Sequence, residues 1–163
     1  MALSMREADE DDVAFIARLF RLPHARAFLN APGRDIIHAS LEDPNTENYI
    51  LECDGEPAGN LVLRHLGFLV ELATLVVSEQ RCGLGTFALE WALRRAFDEL
   101  GSHRVYIEIR EDNVGTRRLC ERLGWRLEGV FRDGFFDERT GAYKNLCAYG
   151  ILQEEYAVSR QAG

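Results

Sequence analysis

Several features are scarce in these 163 residues. The four cysteines, Cys53, Cys82, Cys120 and Cys147, form no C-x-x-C pair. That removes the usual spacing of redox and zinc motifs and leaves free thiols in a reducing compartment. The four histidines, His24, His38, His65 and His103, lie far apart without metal-ligand spacing, so no metal is expected. The opening stretch Met1 to Arg6 has no apolar signal region, and no apolar run is long enough to span a bilayer. The expectation is a cytoplasmic protein with no membrane partner. Positive charge is in deficit: 19 Lys and Arg against 27 Asp and Glu give a net charge of -8. This balance argues against non-specific binding to nucleic acid. No repeat or low-complexity segment is visible.

What is present fits one soluble domain with a sizeable core: 47% of residues are hydrophobic and 28% charged. The domain is expected over residues 1–155, with a tail over 156–163. Leu3 and Met5 alternate with polar neighbours as a short first strand. Asp11 or Asp12 caps a helix carrying Val13, Phe15, Ile16, Leu19 and Phe20. Pro23 interrupts it, a second helical piece follows from His24 to about Asn30, and residues 34–48 stay ambiguous. Tyr49 to Cys53 and Ala58 to His65 read as a hairpin about Asp54-Gly55-Glu56-Pro57. The tight turn Leu66-Gly67 leads into a third antiparallel strand, Phe68 to Val77.

After that strand come Gln80-Arg81-Cys82-Gly83-Leu84-Gly85-Thr86 and then an amphipathic helix from Leu84 to about Leu100, stopped by Gly101. His103 to Arg110 is a strand, and strand–helix–strand implies a parallel pair with a right-handed crossover. Asp112 or Asn113 caps a fourth helix that Gly124 ends. Trp125 to Phe131 and Tyr143 to Leu152 are closing strands, with a polar loop, Arg132 to Gly141, between them. The fold class is α/β (α+β): a mixed, mostly antiparallel sheet of about seven strands with about four helices.

The glycine loop carries the chemistry. Two glycines let the backbone turn sharply and approach a ligand with no Cβ in the way. The first N–H groups of a helix lack partners within it, and with the helix dipole they form a phosphate site. Strand, glycine loop and helix in this order therefore predict a phosphorylated cofactor. Gly83-Leu84-Gly85-Thr86-Phe87-Ala88 also matches the dinucleotide pattern G-x-G-x-x-A, but that unit usually begins a doubly wound sheet, and here antiparallel strands precede it. A P-loop is excluded, because no Gly-Lys-Ser/Thr follows. A plain connecting turn is the remaining alternative.

Gln80-x-x-Gly83-x-Gly85 resembles the acetyl-CoA pyrophosphate loop of the GNAT superfamily of N-acetyltransferases. Asn113 to Trp125, with Thr116 near the start of the helix and Gly124-Trp125 at its end, resembles that family's fourth-helix signature. Leu127-Glu128-Gly129-Val130-Phe131-Arg132-Asp133, followed by Tyr143 to Tyr149, resembles the branch that acetylates ribosomal-protein N-termini, polyamines and some antibiotics. The resemblance covers Arg6 to about Leu152. It implies the GNAT fold, a splayed parallel pair and acetyl-CoA as cosubstrate. It also implies a pantetheine arm paired with main-chain groups of Leu75, Val76 and Val77, and a pyrophosphate on the amides of Arg81, Cys82, Gly83, Leu84, Gly85 and Thr86. Asn113 would contact or order the pantetheine, or simply cap its helix. Family members often dimerise, which leaves a homodimer open, although no interface is legible.

The implied reaction is direct attack of an amine on the acetyl thioester. It needs a neutral amine, a stabilised oxyanion and a thiolate that can leave. A side-chain amine of pKa about 10.4 is only about 0.1% neutral near pH 7.4, whereas a peptide α-amine of pKa about 7.7–8.0 is roughly a quarter neutral. Glu71 is the leading base candidate: it shares a strand face with Ala73, Leu75 and Val77, and a charge on an otherwise apolar face is informative. It could equally be a charge at the strand's solvated start. Glu108 and Tyr106 are weaker alternatives. A backbone N–H near Leu75 or Val77 is the family's oxyanion donor. Cys120 stands where many members carry a Tyr that protonates the departing thiolate. Cys120 could donate, a water could, or no donor is needed, since a thiol of pKa about 8.5 leaves as a thiolate. Cys120 is otherwise a small packing residue.

Tyr143 and Tyr149 are further candidates for the acceptor side, and either could equally be a plain strand residue. The acceptor is expected to be a small-molecule or peptide amine, in a pocket shaped by residues 24–48 and 132–143. An acyl-CoA-binding domain without catalysis is the non-enzyme alternative, and a nicotinamide-dependent enzyme a third.

Overall fold

Segments rich in alternating and β-branched residues become seven strands: β1 Leu3–Glu7, β2 Thr46–Cys53, β3 Glu56–Leu66, β4 Leu69–Val77, β5 Arg104–Arg110, β6 Arg126–Asp137 and β7 Ala142–Leu152. The computed structural model describes residues 1–161. The hydrogen-bonded order is β1-β2-β3-β4-β5-β7-β6. β4 and β5 run parallel, whereas β1–β2, β2–β3, β5–β7 and β6–β7 are antiparallel. Helices α1 Val13–Leu19, α2 Pro23–Arg26, α3 Arg34–Glu42, α4 Leu84–Arg94, α5 Val114–Arg122 and α6 Gln153–Gln161 complete the described residues. The sheet class matches the expectation. The helices number more than the expected four because the ambiguous residues 34–48 hold α3 and because α6 forms near the C-terminus.

The chain divides into two units, Met1–Arg64 with Leu72–Ala88, and His65–Glu71 with the chain from Leu89 onward. In the first, Asp9 and Asp12 form a capping box around the turn that starts α1. Val13, Ile16, Leu19, Phe20, Ala25, Ile37, Ile50 and Val76 share one core cluster, so α1, α2 and α3 bury their apolar sides with β2 and β4. A second cluster, Leu51, Ala58, Leu84 and Ala88, has Leu75, Val77 and Cys82 at its margin. The first turn of α4 is thus anchored under the glycine loop.

In the second unit α4 passes into a π turn, Arg95–Glu99, and stops at Gly101, whose φ of +66° suits glycine. Asn113 caps α5, accepting from Thr116 N–H at 3.3 Å. Gly124 leaves α5 with φ +91°, and Trp125 N–H donates to Cys120 C=O at 3.0 Å. The expected loop from Arg132 to Gly141 needs correction: β6 continues through it to Asp137. A bulge between Phe131 and Phe135 absorbs Arg132-Asp133-Gly134, and Asp133 has φ +53°. Buried Arg110 holds the hairpin's far end, pairing with Asp137 at 3.1 Å and with Asp112 at 2.7 Å. Where a tail was expected there is α6, whose Tyr156 stacks on Phe97 with ring centroids 4.9 Å apart. Residues 162 and 163 of that expected tail lie outside the described residues.

Candidate active site

The glycine loop has the backbone its composition calls for. β4 ends at Val77, the chain bends through residues 78–83, and α4 starts at Leu84. Arg81 and Gly83 both take positive φ, +64° and +87°. A Cβ placed on Gly83 would meet nothing within 4 Å, so glycine is needed there for conformation and the space beside it is open. The bond that closes α4 onto the loop is Phe87 N–H to Gly83 C=O at 3.0 Å. The amides of Leu84, Gly85 and Thr86 therefore belong to the first turn, which has no intrahelical acceptors. Gln80, Arg81 and Gly83 are exposed, whereas Cys82 turns its thiol back to Glu79 C=O at 3.4 Å. An open turn, left-handed residues and unpaired helix-start donors suit the paired phosphates of acetyl-CoA.

Along β4, successive peptide groups point to opposite edges. Ser78 N–H donates to Ala58 C=O of β3 at 2.7 Å, so Val77, and by alternation Leu75, present their main-chain groups to the other edge. Val76 differs from the expectation for the three residues as a set. Its side chain is buried and its carbonyl lies toward Gly59, where an added Cβ would meet it at 2.8 Å. His24, which the sequence places at the start of a helical piece and of the segment expected to shape the acceptor side, is half-buried in α2 and donates from Nε2 to Val77 C=O at 2.7 Å.

The parallel register of β4 and β5 runs through Leu69–Arg104, Val70–Val105 and Glu71–Tyr106. Glu71 is half-buried, and Glu108, two residues beyond Tyr106 on the same strand face, is exposed. The Glu108 carboxyl is held above the usual carboxylate range by partial burial first and by the charge of Glu71 second. Two carboxylates thus sense each other on one sheet face. The sequence names both but ranks Glu108 lower, because period two alone does not separate a solvent face from a site.

Cys120 is fully buried on α5, and burial first, with Glu121 second, pushes its thiol up to about 12. Proton transfer from such a group to a thiolate of pKa about 8.5 is uphill by roughly 5 kcal/mol. Its position favours packing over proton donation. Tyr149 is also fully buried on the α5 side; its hydroxyl donates to Glu121 at 2.7 Å and accepts from Arg117 at 3.1 Å. It therefore does not line an open acceptor surface, contrary to the sequence expectation. Tyr143 is exposed and joins Glu111, Asp112, Asp133, Lys144 and Asn145 around a cavity of about 410 Å³. Among the described residues no group of histidine, cysteine or carboxylate side chains could hold a metal, and no helix is long and apolar enough to cross a membrane.

Comparison with known proteins agrees with this geometry. Residues 13–125 match the model of the Acetyltransferase (GNAT) family. Spermidine N(1)-acetyltransferase of Escherichia coli K12 is 25% identical over 169 residues, spanning 95% of this chain and 88% of that protein. The crystal structure of spermidine N-acetyltransferase from Vibrio cholerae in complex with CoA and spermine superposes with a TM-score of 0.83 at 20% identity, covering 95% of this chain and 98% of that one. The ribosomal-protein-S18-alanine N-acetyltransferase from Escherichia coli superposes with a TM-score of 0.78 at 17% identity, covering 93% and 94%. At such identities the two structures show a shared fold. With a family match across most of its length, the chain belongs to the GNAT acetyltransferase family and is an acetyl-CoA-dependent N-acetyltransferase of amines.

Proposed function

We propose that the acceptor is a cationic aliphatic amine of the polyamine type and that Glu108 takes its proton, with Glu71 setting the basicity of Glu108. The observation that carries this is the carboxylate pair on one face of β4 and β5, where the charge of Glu71 helps to raise the pKa of Glu108. A side-chain ammonium is almost wholly protonated at neutral pH. Two neighbouring carboxylates attract it, and the one whose pKa is raised toward the working pH is the better proton acceptor. The likeness to a spermidine N(1)-acetyltransferase over nearly the whole chain supports the same acceptor class, as does the net charge of -8.

The roles of the remaining residues follow. Acetyl-CoA supplies the acyl thioester and the leaving thiolate. Gln80 opens the loop, and the amides of Arg81, Cys82, Gly83, Leu84, Gly85 and Thr86 hold the pyrophosphate. Main-chain groups of Leu75 and Val77 align the pantetheine arm, and one N–H among them receives the oxyanion. Val76 contributes by packing rather than by contact. Asn113, with Thr116, orders the start of α5. Cys120 packs, and the thiolate leaves unassisted or takes a proton from water.

A thiol-release assay with a panel of amines tests the acceptor class. Spermidine-like amines should turn over with the highest kcat/KM, ahead of a peptide α-amine and of an uncharged aromatic amine. A peptide N-terminus preferred over every polyamine would overturn the acceptor assignment, and the lack of thiol release with any amine of the panel would favour a domain that only binds acyl-CoA.

A further inference from the structure

His24 lies outside every motif that points to the reaction, yet its ring reaches the strand that leads into the glycine loop. Its Nε2 donates to Val77 C=O at 2.7 Å. The bond is built rather than incidental, because both ends stand on packed elements. α2 begins with Pro23 at its first position, and the next residue after His24, Ala25, is buried in the same cluster as Val76. On the opposite edge of β4, Ser78 N–H is held by Ala58 C=O at 2.7 Å. The peptide groups at Val77 and Ser78 are therefore pinned from both edges, directly before the chain bends through residues 78–83. That bend contains two positive-φ residues, and its conformation depends on where it is launched.

We propose that His24 is a positioning residue for the coenzyme: its N–H fixes the Val77 peptide, and with it the start of the phosphate loop and the main-chain edge that receives the pantetheine arm. This rests on the assignment of the loop to acetyl-CoA made above. A neutral imidazole in the correct tautomer and an imidazolium both donate from Nε2, so the role needs an N–H and no charge. Without the donor, the Val77 carbonyl turns to water and the strand end gains freedom that coenzyme binding must remove again. One net hydrogen bond of this kind corresponds to about a three- to tenfold change in affinity.

The test uses a matched pair of substitutions, His24→Met and His24→Gln. The two new side chains are close in shape and length, but only glutamine keeps an N–H at the reach of Nε2. Calorimetric titration with CoA should give a Kd raised about three- to tenfold for H24M and within about twofold of the parent for H24Q. In steady state, KM for acetyl-CoA should follow the same pattern while KM for the amine stays put, a split that loss of general stability would not produce. Parent-like CoA affinity in H24M, or an H24Q variant as weak as H24M, would overturn the role of the N–H. Should H24M fail to fold, H24Q alone decides: weak CoA binding by a folded H24Q sinks the proposal. Gly83→Asp, titrated alongside, separates the two levels. If G83D loses CoA while H24M does not, only the role of His24 falls; if G83D binds CoA like the parent, the loop assignment falls and takes His24 with it.

Discussion

A carboxylate with an ordinary pKa near 4 is a weak base for an ammonium of pKa about 10.4, and every unit gained by the carboxylate narrows the gap by about 1.4 kcal/mol. Glu108 gains from partial burial and from Glu71. The two contributions are separable by mutation. In Glu71→Gln the neighbouring charge is gone while the burial stays, so the pKa of Glu108 falls and the acid limb of the kcat/KM profile should move to lower pH, with less driving force for proton removal on the plateau. In Glu108→Gln the limb should flatten and kcat/KM should drop about 10²- to 10⁴-fold, the usual contribution of a positioned base. If E71Q instead abolishes the limb and E108Q leaves it in place, the two residues exchange roles. Both carboxylates were readable from alternation along their strands. Their coupling was not, because it depends on the register that sets Glu71 against Tyr106. His24 was unreadable as a contact: it is a lone histidine after a proline, and its partner is a carbonyl 53 residues away that any residue could have supplied. Cys120 was located correctly on its helix, but sequence spacing could not show that the thiol is fully buried.

The glycine loop is the element whose sequence and structure agree most closely, since composition alone demands left-handed backbone and an open helix start. It also lets two effects be told apart. The space around Gly83 is open, so Gly83→Ala meets no steric obstacle and its cost is conformational, about 1 kcal/mol for an L residue forced to φ +87°. Gly83→Asp adds a negative charge at the proposed pyrophosphate site. Titration calorimetry should therefore show G83A with a CoA affinity reduced a few-fold and G83D with one reduced far more, while thermal melting shows similar small losses for both. Equal CoA affinity in the two variants would mean that no phosphate lies at this turn. β6 is the opposite case. Its residues 132–134 carry the Arg-Asp-Gly composition of a loop, and their inclusion in the strand depends on a bulge and on Asn145, which accepts from Asp133 N–H at 2.9 Å. That acceptor lies on the partner strand, so a local reading of residues 132–141 could not contain it.

At the scale of the whole molecule the excess of acid defines how the fold responds to pH. Asp12 accepts two bonds from the Arg6 guanidinium, both at 2.8 Å, and one from Asp9 N–H at 2.9 Å. Its carboxyl is held below the usual range by Arg6 first, against the opposing effect of burial. Asp112 beside Arg110 and Glu128 beside Arg104 are lowered in the same way. A carboxylate whose pKa is lower in the folded state stabilises the fold at pH values above its unfolded pKa, near 4, and that stabilisation is lost as pH falls through the folded pKa. Glu108 acts with the opposite sign, favouring the fold slightly more as it protonates, but it is one group against five, since Asp43 and Asp137 are lowered as well. Thermal midpoints should accordingly be flat from neutral pH to about 5 and fall steeply below about 4. Asp12→Asn tests one of these in isolation, because asparagine mimics the protonated carboxyl and keeps its size. At neutral pH the variant should melt below the parent, having lost a charge-assisted bidentate pair at a half-exposed arginine. On acidification the parent gives up the same interaction while the variant has none to lose. The two melting curves should therefore converge as the pH falls below the ordinary aspartate range, and a gap that stays constant throughout acidification would show that the Arg6–Asp12 pair contributes through packing and not through charge.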